Sequence, residues 1–199
     1  MKDLAELVEL NRFVGREFLL WLWFESERTE TNLRPLGGPA CSLWLDTQIT
    51  LSGADGEARI KAPMAAASKE AKTALAEGKL PTAARLHLIV EELEFSCGFR
   101  AEELAVSGLK VPSQLKADSE PDEALFERIS LTERFMATMT ALYAEFLALR
   151  LSPGWEKITT RELKKWARGK AIDEQAYEQE RAEAVRRRAS ARKAAQRGG

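Results

Sequence analysis

Few residues of this chain could do covalent chemistry. His87 is the only histidine, and it sits in TAARLHLIVEELEFSCGF, where apolar and polar residues alternate as in a half-buried strand. A Ser-His-Asp or Cys-His site would have to run through it, and no spacing around it supplies the partners, so a structural place in the strand is expected. Cys97 shares a strand face with Leu93 and Phe95, which makes it a buried thiol. With Cys41 it makes two cysteines, too few for a zinc cluster or a disulfide framework. Glu92 and Glu94, next to Glu91, would share a face and could hold Mg²⁺ for phosphodiester cleavage if a further carboxylate converged on them. A solvated sheet face accounts for the same run. The glycines of GGP, GADG and SGL belong to turns, and none continues into the GK[ST] of a phosphate loop. No catalysis, cofactor, metal or small-molecule substrate is therefore expected.

Binding is what remains. Arg59 and Lys61 stand two apart in ARIKAP and so share a strand face. Lys164, Lys165 and Arg168 have helical i,i+3 and i,i+4 spacing. Arg186, Arg187, Arg188, Arg192, Lys193 and Arg197 cluster in the last sixteen residues, which contain no acid. Phosphate recognition needs only positive side chains at backbone spacing, although an ordinary exposed strand face also fits Arg59 and Lys61. The net charge of -1 conceals an asymmetry: from Arg161 onward there are 12 Lys/Arg against 6 Asp/Glu, and before it 18 against 25. A polyanion would meet the basic end first, and a merely solubilising end has the same composition.

At 199 residues, 45% hydrophobic and 31% charged, the chain is of ordinary globular composition. The run Phe18–Phe24 is too short for a bilayer span, which needs about 20 residues. The opening MKDLAEL lacks signal-peptide character, so a cytoplasmic protein with reduced thiols is the expectation.

The elements that must position these residues follow from periodicity. Asp3 and Glu6 resemble a capping box, followed by a helix with Leu4, Leu7, Val8, Val14, Phe18, Trp21 and Leu22 on one face. After Gly15 the other face also turns apolar through Leu19, Leu20, Trp23 and Phe24, so this helix ends buried all round. Burying those four is worth roughly 6–12 kcal/mol. Cover from the chain's own long helix is expected, with part of the surface in a homodimer. After a loop at Gly37, Gly38 and Pro39, the stretch ACSLWLDTQITLSGADGEARIKAP reads as three short strands with a hairpin turn at GADG. AAASKEAKTALAEGK is a helix closed by Gly78; the His87 stretch is an antiparallel pair; SGLKVP is an edge strand ended by Pro112. After the polar KADSEPDE, Pro121 begins a helix to about Arg150. Its stripe is Leu125, Ile129, Met136, Met139, Tyr143 and Phe146, flanked by Phe126, Phe135 and Leu142, and is expected to face a sheet. The fold class is thus α+β: an antiparallel sheet of about five or six strands packed with two long helices, plus a C-terminal helical extension. Residues 1–155 form the body. Residues 156–199 form a charged helical tail, anchored by Trp166, whose last part has little to bury and would stand in solvent or order on a partner.

GADGEARIKAP, a helix closing in LAEGK, ARLHLIVEELEFSCGF, SGLKVP and ALFERISLTERFMATMTALYAEFLAL occur in the order found in the C-terminal half of the RdgC family of recombination-associated proteins. GREFLLWLWFESE is similar to the segment that precedes this region in some members. The resemblance spans roughly Gly15 to Leu151 and consists of hydrophobic patterns with a few glycines and lysines. It implies a non-enzymatic, nucleoid-associated homodimer that binds double-stranded DNA through a positively charged central hole, with little sequence preference, and restrains RecA-dependent strand exchange. In the family the basic strand segment before the first helix of this region lies near DNA, and the matching positions are Arg59 and Lys61. The family's N-terminal half, which supplies the far side of the ring, is outside the resemblance, so a closed ring is not carried over. The segment beyond Trp155 is outside it as well, and its charge would substitute for contacts of that half.

A DNA-binding accessory protein is therefore the first expectation. A homo-oligomeric interaction or regulatory module without nucleic-acid binding is the second, with the aromatic block and long helix as its partner surface. A nuclease on Glu92 and Glu94 is the third.

Overall fold

A computed structural model of the chain describes residues 4–28, 33, 35, 38–113 and 120–197, without the side chains of 4–11 and 197. Asp3, Gly37 and part of the polar linker before Pro121 lie outside the described residues, as do the side chains of Leu4, Leu7, Val8 and Arg197. Five antiparallel strands form one sheet in the order β2-β1-β3-β4-β5: β1 Cys41–Gly53, β2 Gly56–Lys61, β3 Leu80–Val90, β4 Leu93–Arg100 and β5 Ala105–Lys110. The helices are α1 Leu4–Arg28, α2 Lys69–Ala76, α3 Pro121–Arg150, α4 Thr160–Ala167 and α5 Glu174–Arg197. The fold is α+β, with a C-terminal helix.

The segment expected to form three strands forms two. β1 runs unbroken from Cys41 to Gly53 because a bulge absorbs the irregularity: Leu45 pairs with Leu86 and Ile49 with Ala84, so residues 46–48 stand against Arg85 alone. Two-residue turns join β1 to β2 and β3 to β4, four residues join β4 to β5, and Glu91 and Glu92 between β3 and β4 both take positive φ (49° and 71°), as a primed turn requires. α2 is capped by Ser68, whose side chain accepts from the Ala71 amide at 3.2 Å.

α1 lies across β1 and β3 on the inner face of the sheet. Its other side is covered by the later helices. The Phe18 ring centroid stands 5.0 Å from Tyr143 and 5.4 Å from Phe146; Phe24 stands 5.4 Å from Trp166 and 5.1 Å from Tyr177. Phe18, Leu19, Trp21, Leu22, Trp23 and Phe24 are all buried, so within the chain α1 is the middle layer of a three-layer stack.

Two helix expectations are corrected. α3 turns Leu131, Phe135, Thr138, Met139, Leu142, Glu145, Phe146 and Leu149 inward, while Leu125, Phe126, Ile129 and Met136 are exposed. The seam 131–135–138–142–145–149 alternates steps of four and three, and it passes through two polar residues. Thr138 is satisfied by bonding back to the Arg134 carbonyl at 2.9 Å, and Glu145 by Arg181 Nε at 2.5 Å. α3 packs on α1 and α5, so α1 separates it from much of the sheet. The last helix, expected to stand in solvent, is anchored along its first half. Tyr177 and Ala184 join the same hydrophobic cluster as the body, as does Leu163 of α4. No helix among the described residues is long and apolar enough to cross a membrane.

Candidate nucleic-acid interface

The densest group of cations is built around α4. Glu162, fully buried in the first turn, accepts from Arg161 Nε (2.7 Å), Lys165 Nζ (3.0 Å) and the Asp173 amide (2.7 Å). Desolvation opposes its ionisation, but these donors outweigh it and hold the carboxyl below its ordinary range. The Asp173 bond requires the chain to double back after α4, and Gly169, at φ 66°, makes that turn, with the Gly169 and Lys170 amides bonding to the Trp166 and Lys165 carbonyls (2.9 Å each).

Arg168 closes α4 on the side of Arg161, Lys164 and Lys165, and the reversal adds Lys170. Together with Glu156 and Thr160 they line a hollow of about 370 Å³. Arg161 and Lys165 share the charge of Glu162, whereas Lys164, Arg168 and Lys170 have no carboxylate within 4.0 Å among the described residues. Arg168 and Lys170 also border a second hollow that adds Lys69 and Lys72. Lys72 itself is engaged: its ammonium stands 3.6 Å from the Trp166 ring centroid and 2.6 Å from Glu27 Oε2. Burial lowers its pKa, with Glu27 opposing. Helical spacing finds Lys164, Lys165 and Arg168. Arg161 stands at the same i,i+3 and i,i+4 spacing, one turn before them on α4, and the sequence reading misses it. Lys170 and Lys69 join them only through the Asp173–Glu162 bond and the packing of α2 on α4, which leave no periodic signal.

Arg59 and Lys61 are exposed on β2, at the edge of the sheet. Their neighbours Ala58 and Ile60 pack against the core, so the two cations point to the outer face, away from α1. Arg59 reaches Gln48, whose amide oxygen accepts from Nε and Nη2 at 3.3 and 3.1 Å, and neither cation meets a carboxylate within 4.0 Å among the described residues. The sheet thus lies between this pair and the α1 layer against which α4 packs.

The tail cations are divided. Arg186 Nε bonds the Ala182 carbonyl at 3.2 Å, Arg187 bonds Glu183 at 2.5 Å, and Arg188 donates to the Ala144 carbonyl of α3. Arg192 and Lys193 are exposed without such partners, and the Arg197 side chain lies outside the described residues.

Glu92 lies in the tight turn and Glu94 holds His87 Nδ1 at 3.2 Å, while Asp46 takes Nε2 at 2.9 Å. Among the described residues no three His, Cys, Asp or Glu side chains are grouped to hold a metal. Cys41 and Cys97 are both buried free thiols. No family model matches the chain, and no curated protein matches it.

Proposed function

We propose that this protein is a non-enzymatic, sequence-independent DNA-binding accessory protein of the RdgC type, related to recombination control, acting as a nucleoid-associated homodimer. The observation that carries the reading is the α4 hollow, where Lys164, Arg168 and Lys170 converge with Arg161 and Lys165, and where none of the first three has a carboxylate within 4.0 Å among the described residues although Glu156 lines the same hollow. Phosphate oxygens need no more than such a cluster, and a cluster of this kind reads no base edges. Arg59, Lys61, Arg192 and Lys193 add unpaired positive charge elsewhere. The resemblance of Gly15 to Leu151 to the RdgC pattern supplies the biological setting. A mobility-shift titration with two duplexes of unrelated sequence tests it. Equal affinity for both, no cleavage on prolonged incubation, and loss of the shift in Lys164→Glu/Arg168→Glu/Lys170→Glu are expected. A variant that shifts DNA like the parent would refute it.

One observation favours a homo-oligomeric interaction module without nucleic-acid binding. Leu125 and Phe126 on the outer face of α3 are 55% and 70% exposed, and Ile129 and Met136 continue the patch along the helix. Under that reading Leu125→Glu/Ile129→Glu changes the mass in light scattering, and DNA is ignored at low salt.

A further inference from the structure

We infer that the outer face of the sheet is a second binding site, a stacking platform for single-stranded nucleic acid centred on Trp44. This surface is separate from the α4 hollow and does not depend on it. Trp44, the fourth residue of β1, is 37% exposed, although it is a large aromatic ring within a paired strand. Its ring lies on the imidazole of His87, with centroids 5.2 Å apart and planes 16° from parallel. Asp46 and Glu94 grip the two nitrogens of His87 and so fix that imidazole as a backing plate.

The register extends the platform. Trp44, His87, Ser96 and Lys110 form one row across β1, β3, β4 and β5. β2 pairs with β1 only from Gln48 to Gly53, so it stops short of Trp44 and leaves the indole uncovered on that side. The next row carries Arg85 beside Gly98 and Ser107. Arg59, Lys61, Arg85 and Lys110 have no carboxylate within 4.0 Å among the described residues. Arg100 pairs with Glu103 at 3.4 Å, and Glu57 is the further acid of this face, at the start of β2. The floor between the cations is Ser96, Gly98 and Ser107, too small to block an approaching strand.

An open indole, with the Asp46 and Glu94 carboxylates engaged by His87 beside it and unpaired cations further along the same face, matches what unpaired nucleotides present: a π face on every base, whatever its identity, and a charged backbone. Duplex DNA hides its base faces within the stack and offers Trp44 nothing to lie on. The site therefore selects single strands by stacking, while the phosphates rest on Arg85 and the β2 and β5 cations.

Anisotropy of labelled oligo(dT) of about twelve nucleotides, alongside a duplex probe, tests this. Trp44→Ala should weaken single-strand affinity about tenfold or more, and Trp44→Phe should retain most of it. Duplex affinity should not change in either. Lys164→Glu/Arg168→Glu/Lys170→Glu should keep single-strand binding. If Trp44→Ala fails to fold, as judged by its melting curve, Arg85→Glu/Lys110→Glu carries the test in its place. Wild-type protein that ignores oligo(dT) at low salt, or a folded Trp44→Ala that binds it unchanged, overturns the platform. Equal loss of duplex and single-strand binding in Trp44→Ala overturns it too, because one shared surface would then serve both. Absence of duplex binding alone removes the α4 reading and leaves the platform standing.

Discussion

The Tyr177 hydroxyl on α5 donates to the Glu25 carboxylate on α1 and accepts the Trp21 indole N–H at 2.9 Å, with all three side chains buried. Arg28 (3.1 Å) and Arg181 (3.5 Å) supply Glu25 with positive charge, and Arg181 also holds Glu145 of α3. Burial first, then the Glu25 charge, raise the Tyr177 phenol well above its ordinary range, so it remains a donor. This network is what fastens the basic C-terminal helix to the body. Tyr177→Phe would leave the Trp21 N–H and one Glu25 oxygen without their partner, at a cost of about 2–4 kcal/mol. The expected result is a melting point lower by roughly 5–12 °C, together with earlier proteolysis within α5. A melting point within a degree of the parent would contradict the network's role.

The true register of α3 separates two neighbouring side chains. Phe135 is 1% exposed and its ring centroid is 5.7 Å from that of Phe95, whereas Met136 is 46% exposed. Phe135→Ala should cost about 3–5 kcal/mol in urea unfolding, and Met136→Ala about 0.5 kcal/mol or less. The reverse order would restore the stripe read from apolar residues alone.

That pair shows where sequence reading succeeds and where it stops. The strand pairs and the all-round burial of α1 are legible because β4 alternates cleanly and because Leu19, Trp23 and Phe24 fill the face opposite Phe18 and Trp21. The α3 seam is not legible, since Thr138 and Glu145 occupy it, the first satisfied by the Arg134 carbonyl one turn back and the second by Arg181, remote in sequence. Tyr177 likewise looks like an isolated aromatic in a charged helix until Trp21 and Glu25 meet it. At the α4 site, Lys164 and Arg168 follow from helical spacing, but Lys170 arrives through the turn at Gly169.

Gly15 should be intolerant of a change that normally helps a helix. Gly→Ala inside a helix stabilises by about 1 kcal/mol, yet a Cβ here would stand 1.9 Å from the Ala101 carbonyl oxygen, which is backbone. Gly15→Ala is expected to lower the melting point. An increase would mean that α1 does not cross the end of β4 this closely.

Alkaline pH should destabilise the fold. Burial, reinforced by the Glu145 charge, pushes the Cys41 thiol up to about 12. Burial pushes Cys97 up to about 11 despite Arg85. Unfolded thiols ionise near about 8.5, so above that pH the unfolded chain releases protons that the native state retains, and stability falls as pH rises toward 11–12. The raised Tyr143 and Tyr177 phenols act in the same direction, and the lowered Lys72 acts against them. Urea midpoints at pH 7.5, 9 and 10 should decline in order, with neither thiol labelled by a thiol reagent at pH 8 until the protein unfolds. A midpoint that rises with pH would contradict the burial of both thiols.

The salt dependence of duplex binding tests the central claim most directly. Affinity for a random-sequence duplex, followed by anisotropy between 50 and 200 mM salt, should fall linearly on logarithmic axes at about 0.9 per phosphate contacted. Lys164→Gln/Arg168→Gln/Lys170→Gln should flatten that slope by roughly two to three. A slope that is unchanged in this variant, or a wild-type affinity indifferent to salt, would contradict a phosphate-binding role for the α4 hollow.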